Sequence, residues 1–230
     1  MATNFPASLD SLTNPTSSDS LNSPSHSAQH ANSNDAIEAL QAKVGADSSA
    51  VTSSLDYKVA QLEAAATGKI LQVVSTTKTD TFSAATDNDE TPNAQWASVT
   101  GLTATITPTA ATSKVLVFVS LFGSSENDYG FAFRLTRGGT EIGVGDAASN
   151  RNQTSGVVTA TVDASFVGSG SVSYLDSPAS TSALTYGVDI ANIQTATGTV
   201  TVYVNRSRSD GDVSAVARPI STITVMEVSA

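Results

Sequence analysis

From Lys69 to the end of the chain, apolar and polar residues alternate with period two, the pattern of a half-buried β-strand. The clearest stretch is 220–228: Ile220, Thr222, Thr224, Met226 and Val228 face one way, and Ser221, Ile223, Val225 and Glu227 the other. Further strands are predicted at 69–74, 79–84, 103–109, 114–122, 131–137, 140–145, 157–168, 172–175, 183–191 and 199–207. Turn residues separate them: Pro108, Gly138-Gly139, Gly168-Ser169-Gly170, Ser177-Pro178, Gly198, and Asp210-Gly211-Asp212, which reads as a hairpin turn. Ten or eleven short strands with no helical period between them predict a mainly β fold. Residues 68–230 are expected to form an antiparallel, jelly-roll-like sandwich head.

The period changes upstream. Ile37, Leu40 and Val44 recur at helical spacing, after a Ser23-Pro24 start signal and before Gly45, a glycine suited to a left-handed helix end. A second helix is predicted from Asp47 or Ser48 to Ala66, with a stripe of Val51, Leu55, Val59 and Leu62. The first stripe continued as heptads would pass through Asp47, Ser54 and Lys58. The two segments therefore cannot be one coiled coil, and a joint near Gly45 is expected. A stripe this narrow does not fold alone. No third helix is predicted to complete a bundle within the chain, so residues 24–67 are read as a stalk that meets other copies of itself. Its interface residues are Ile37, Leu40, Val44, Val51, Leu55, Val59 and Leu62. Residues 1–23 are rich in Ser, Thr, Asn and Pro and read as an extended tail. Its scattered Phe5, Leu9, Leu12 and Leu21 are the candidate anchor to another protein.

Charge narrows the partners. The net charge is −10, with two Lys or Arg against seven Asp or Glu in residues 1–68 and nine against fourteen in 69–230. Neither part offers the basic patch that binds nucleic acid. The longest apolar run, 115–119, is too short to cross a bilayer, and the opening MATNFPASLD lacks the basic and apolar regions of a signal peptide. With no cysteine, disulfides and thiolate metal sites are excluded.

Candidate chemistry is sparse. His26 and His30 stand one helical turn apart, a spacing that can hold a metal, but the glutamate of a zinc protease helix is missing and polar packing is the plainer reading. Both histidines fall in the stalk, so no catalytic triad is expected in the β head. Asp87-Asn88-Asp89-Glu90 lacks the spacing of a calcium loop. A carboxylate pair for glycoside cleavage is not singled out. No cofactor is expected, and the chain is read as a non-enzyme. Trp96 and Tyr129 are the candidate receptor-contact residues, since an aromatic face can stack on a sugar.

Two regions resemble a known class. TNPTSSDSLNSPSHSAQHANSNDAIEALQAKVG resembles the virion-proximal segment of tailed-bacteriophage fibre and appendage proteins. GLTATITPTAATSKVLVFVS, SYLDSPASTSALTYGVDIA and STITVMEVSA look like the jelly-roll heads that close many phage fibres. The resemblance implies a trimeric virion protein, attached by its N-terminus and facing outward with its head. The expectation is a short homotrimeric tail fibre in the virion, its tail on another structural protein and its head toward a host-surface glycan or protein. The alternatives are a capsid-bound head fibre or decoration protein and a polysaccharide-cleaving appendage.

Overall fold

The computed structural model describes residues 25–64, 68–87, 95–127, 129–159, 163–193 and 198–230. The anchor candidates Phe5, Leu9, Leu12 and Leu21, and residues 88–90 of the acidic loop, lie outside them. Two compact units divide the chain, Met1–Thr67 and Gly68–Ala230.

The first unit holds helices α1 (His26–Val44) and α2 (Leu55–Ala64). The cap of α1 is Ser25, whose Oγ accepts the Ala28 N–H at 3.3 Å. The helix thus begins two residues beyond the Pro24 start that the Ser23-Pro24 signal predicts. Gly45 ends α1 with φ 89° but ψ 158°, so it swings the chain outward rather than taking the left-handed cap expected of it. A Cβ at Gly45 would stand 2.9 Å from Ser54 Oγ, which leaves no room for a side chain.

The second helix starts later than predicted, because the serines of the intervening segment fold back on the backbone. Ser54 Oγ accepts the Tyr57 N–H at 3.2 Å and donates to Val51 O at 2.8 Å, while the Ser49 N–H donates to Asp56 Oδ2 at 2.8 Å. Such local bonds compete with helix formation. Val51 is therefore a residue of this closed turn and not part of a helical stripe.

The second unit is mainly β, with eleven strands among its described residues, in two antiparallel sheets: β1 (Ile70–Lys78), β2 (Phe82–Thr86), β3 (Ala97–Ile106), β4 (Lys114–Ser125), β5 (Phe131–Arg137), β6 (Thr140–Ile142), β7 (Gly156–Val158), β8 (Gly168–Asp176), β9 (Leu184–Ala191), β10 (Val200–Val204) and β11 (Ser221–Val228). Several are collinear pieces of one longer strand. β11 pairs with Lys114–Ser120 of β4 and β10 with Gly123–Ser125, while β8 takes the opposite edge of β4. β1 and β2 continue the same division, pairing with β11 and β10 respectively. In the other sheet β7 and β6 lie end to end along β5. With pieces merged, the orders are β1/β2–β10/β11–β4–β8 and β3–β9–β5–β6/β7, the nested strand order of a jelly roll.

Most predicted strands are present, with shifted bounds. β3 begins at Ala97 rather than 103, because Gly101 (φ 82°) interrupts its alternation. Of the described residues in the predicted strand 157–168, β7 takes the start and Asp163–Phe166 form a turn closed by the Phe166 N–H to Asp163 O bond. Gly138 and Gly139, both at positive φ, form the two-residue β5–β6 hairpin. Asp210-Gly211 makes no hairpin: β10 and β11 do not pair with each other, and residues 205–220 leave and rejoin one line of the sheet. Asp210 instead receives Arg218 Nε and Nη2, each at 2.7 Å.

Between the sheets lie Val115, Val117, Val119, Leu121, Val202, Val204, Ile223 and Val225 from one side and Val99, Leu102, Ile106, Phe131, Phe133, Leu135, Val188 and Ile190 from the other. Burying each large aliphatic or aromatic side chain contributes about 1.5–3 kcal/mol. Two carboxylates close one end of this core. Val115 pairs with both Asp176 and Glu227, so both point inward beside it. Asp176 Oδ2 accepts from Tyr186 Oη at 2.7 Å and from Arg137 Nη1 at 2.6 Å, tying β8 to the opposite sheet. Burial and the adjacent carboxylate push the Tyr186 hydroxyl well above its ordinary value.

Glu227 is fully buried and anchors the turn between β3 and β4. It accepts from the Thr109 N–H and Oγ1, both at 2.7 Å, and from Gln72 Nε2 at 2.8 Å. Burial pushes its carboxyl up, but the bonds from Gln72, Thr109 and Ser113 outweigh that and hold it down at about 2.

A folded value below the ordinary 4.5 gives stability that is present above the unfolded value and lost as pH falls toward about 2. Glu227→Gln is expected to cost about 1–3 kcal/mol at neutral pH in urea unfolding. The gap to the native chain should shrink between pH 4.5 and 2. An equal gap at pH 7 and pH 2.5 would show that the charge plays no part.

Candidate functional site

The outer face of the β3–β9–β5 sheet carries opposite charges on adjacent strands. Asp189 pairs with Ser98 on one side and Arg134 on the other, forming a row across three strands. Asp189 Oδ1 accepts from Ser98 Oγ at 2.6 Å, and Oδ2 from Arg134 Nε and Nη2, both at 3.3 Å. Arg134 also pairs with Glu141. Its guanidinium carbon lies 4.4 Å from the centre of the Trp96 ring, within the range of cation–π attraction. The guanidinium is therefore held by two carboxylates and an indole.

The next row is Thr103–Gly187–Thr136. Gly187 has no side chain, and β3 departs from regular register between Ser98 and Thr103. Together these open a cleft of about 240 Å³. Its floor is Gly187 and Val188, and its walls carry Ser98, Thr103, Thr136, Thr185 and Asp189. A Cβ at Gly187 would come within 3.2 Å of Thr136 Oγ1 and 3.3 Å of Thr103 Cγ2. The cleft thus offers hydroxyls and one carboxylate around a bare backbone floor, with the Arg134–Trp96 pair beside it. Such a surface can hydrogen-bond a small polyhydroxylated group.

Of the aromatics singled out from sequence, Trp96 stands at this site, half-buried under Arg134. Tyr129 projects from the β4–β5 loop, 67% exposed, and makes no ring contact with Trp96. Ser98, Arg134, Glu141, Gly187 and Asp189 were not anticipated. The signal was there: FAFRLTR places Arg134, and ALTYGVDIA places Asp189, of opposite sign, in the middle of an apolar strand.

The fold defines an antiparallel jelly-roll sandwich preceded by short helices. No protein-family model matches the chain, and no curated protein matches it. Among solved structures it is similar to the infectious bursal disease virus VP2 subviral particle, with 14% identity over 69% of this chain and a TM-score of 0.32. The structure of the Gt strain of that virus gives 16% identity over 69% of this chain and a TM-score of 0.32, and the Gx strain 15%, 70% and 0.29. The chain spans 37% of the first of these and 38% of the other two. Similarity at this level defines no shared function.

Trp96 is the sole tryptophan, so its emission reports this site alone. Arg134→Ala is expected to shift that emission to longer wavelength as water replaces the guanidinium, at a stability cost of about 0.5–2 kcal/mol. An unchanged spectrum would mean that Arg134 does not cover the ring.

Proposed function

We propose that the chain is a structural protein of a virion, and within that class a short homotrimeric tail fibre of a tailed bacteriophage whose β head contacts the host surface. The observation that carries the trimer is the helical stripe. Ile37, Leu40, Val44, Leu55, Val59 and Leu62 are 46–67% exposed in the single chain. Apolar side chains repeated on one helical face gain nothing from water and are stabilised when copies bring their stripes together.

A second surface supports the same assembly. On the outer face of the β1–β11–β4–β8 sheet, Val73, Met226, Leu116 and Leu175 form one row across four strands. Val73 is 55% and Leu175 46% exposed, with Phe118 beside them at 41%. An apolar row on the solvent face of a sandwich is the kind of patch that subunit contacts cover, and we assign it to contact between heads. We assign attachment to the particle to the scattered apolar residues Phe5, Leu9, Leu12 and Leu21, a reading that the resemblance of residues 13–45 to virion-proximal phage segments supports.

The outward function falls to loops and clefts that remain open. The hydroxyl-lined cleft at Gly187, flanked by Trp96 and Arg134, is assigned to a sugar unit of a host glycan, and Tyr129 to loop contact. One such contact is weak. Three heads on one fibre multiply it through effective concentration. The reading is of binding without catalysis and without a cofactor.

Light scattering on the full chain should give about three times the 23.4 kDa chain mass, and Leu55→Asp with Leu62→Asp should abolish it. Native mass unchanged in that variant would remove the helices as the assembly element. For the cleft, Gly187→Val should lower adsorption of the purified protein to host cells at least tenfold while leaving the trimer mass intact. Equal adsorption would take the cleft out of the receptor site.

A further inference from the structure

Outside the head, His26 and His30 form a contact to which the proposed function gives no role; they continue the Ile37–Val44 register toward the start of α1. They sit one turn apart on one face of α1, both exposed, where the helical repeat brings side chains four residues apart together. Their Nε2 atoms lie 3.0 Å apart, and the rings meet edge to face with centroids 4.4 Å apart. One ring must donate its Nε2 proton to the lone pair of the other.

We propose that this pair is a clip for one divalent transition-metal ion of the zinc and nickel class. Two imidazole nitrogens bound to such an ion at about 2.0–2.1 Å, at octahedral or tetrahedral angles, stand roughly 2.9–3.4 Å apart. The observed 3.0 Å is already within that bite. Small side-chain rotations turn both lone pairs toward a common point. The ring that donates its Nε2 proton takes its Nδ1–H tautomer through solvent, so both ligands are neutral and the rings lose no proton overall. Both ligands come from one chain, so the clip does not depend on the trimer.

The surroundings set its selectivity. The first turn of α1 contains no Asp or Glu, and among the described residues no third histidine or acid joins the pair. Water fills the remaining positions. Imidazole without carboxylate favours zinc, nickel and copper over magnesium and calcium. The positive end of the helix opposes a cation here, at a cost of up to about fivefold in affinity, well below the gain from two converging ligands. A bound ion would fasten the first turn of α1, next to the segment that leads to the candidate anchor.

The test is calorimetric titration of the full chain with zinc chloride. One saturable site per chain is expected, and His26→Gln or His30→Gln should each weaken it roughly 10–100-fold. Both positions are exposed, and far-ultraviolet circular dichroism checks that the helix survives. The variant His30→Ala with Ala31→His keeps two histidines but sets them five residues apart, and it should lose the site equally. The proposal is overturned by no saturable binding up to about 1 mM zinc, by unchanged affinity in the respaced variant, or by displacement of zinc by a hundredfold excess of magnesium.

Discussion

The head depends on a place where strands end against one another. β10 and β11 share one edge of β4, and β1 and β2 share the far edge of that line, so the sheet has a seam where hydrogen-bond ladders stop. Backbone groups buried at a seam cost free energy unless something bonds them. Asn205 does so. Its backbone sits at φ 59°, a conformation asparagine tolerates better than most residues. Its N–H donates to Phe122 O at 2.9 Å, and its side-chain amide to Lys78 O at 2.8 Å and Asp80 O at 3.0 Å. Ser221 Oγ donates to Asn205 Oδ1 at 2.6 Å and accepts the Phe122 N–H at 3.0 Å. The side chain thus ties β1 and β11 to the end of β10, while the backbone N–H holds β4, and the two interrupted lines behave as one sheet.

With the seam closed and the carboxylates of Asp176 and Glu227 satisfied, the sandwich has a complete core of its own. What remains apolar on the outside is then informative. The helical stripe and the Val73–Leu175 row add nothing to the single chain, which is why assembly is assigned to them. Polar features divide in the same way. Charges that close the core are bonded on every side, whereas the threonines and Gly187 of the cleft leave room for a guest.

How much of this was legible in the sequence follows from what each pattern measures. Alternation reports which residues share a face, so Ile223, Val225 and Glu227 are grouped together, but it does not say that theirs is the buried face. The burial of Glu227 depends on Thr109 and Gln72 arriving from distant parts of the chain. Alternation is silent on whether successive strands pair or run in line. Asp210-Gly211 therefore reads as a hairpin although residues 205–220 form an excursion. Helix limits failed for a local reason: Asp47, Ser48 and Ser54 can all cap, and the bonds of Ser49 and Asp56 decide among them. The cleft was invisible because it arises from an irregularity in β3 opposite a glycine in β9. Only the mid-strand charges Arg134 and Asp189 hinted at it.

Hydrogen exchange on the full chain, native against Asn205→Gly, tests the seam most directly. Glycine keeps the backbone conformation and removes only the amide side chain. Faster exchange is expected at Phe122, Phe82 and Val204, at the ends of the interrupted strands, with a stability loss of about 1–3 kcal/mol. The opposite sheet should change only through that overall loss. Unchanged protection at Phe122, Phe82 and Val204 would show that the collinear strands hold together without Asn205, and would contradict the account.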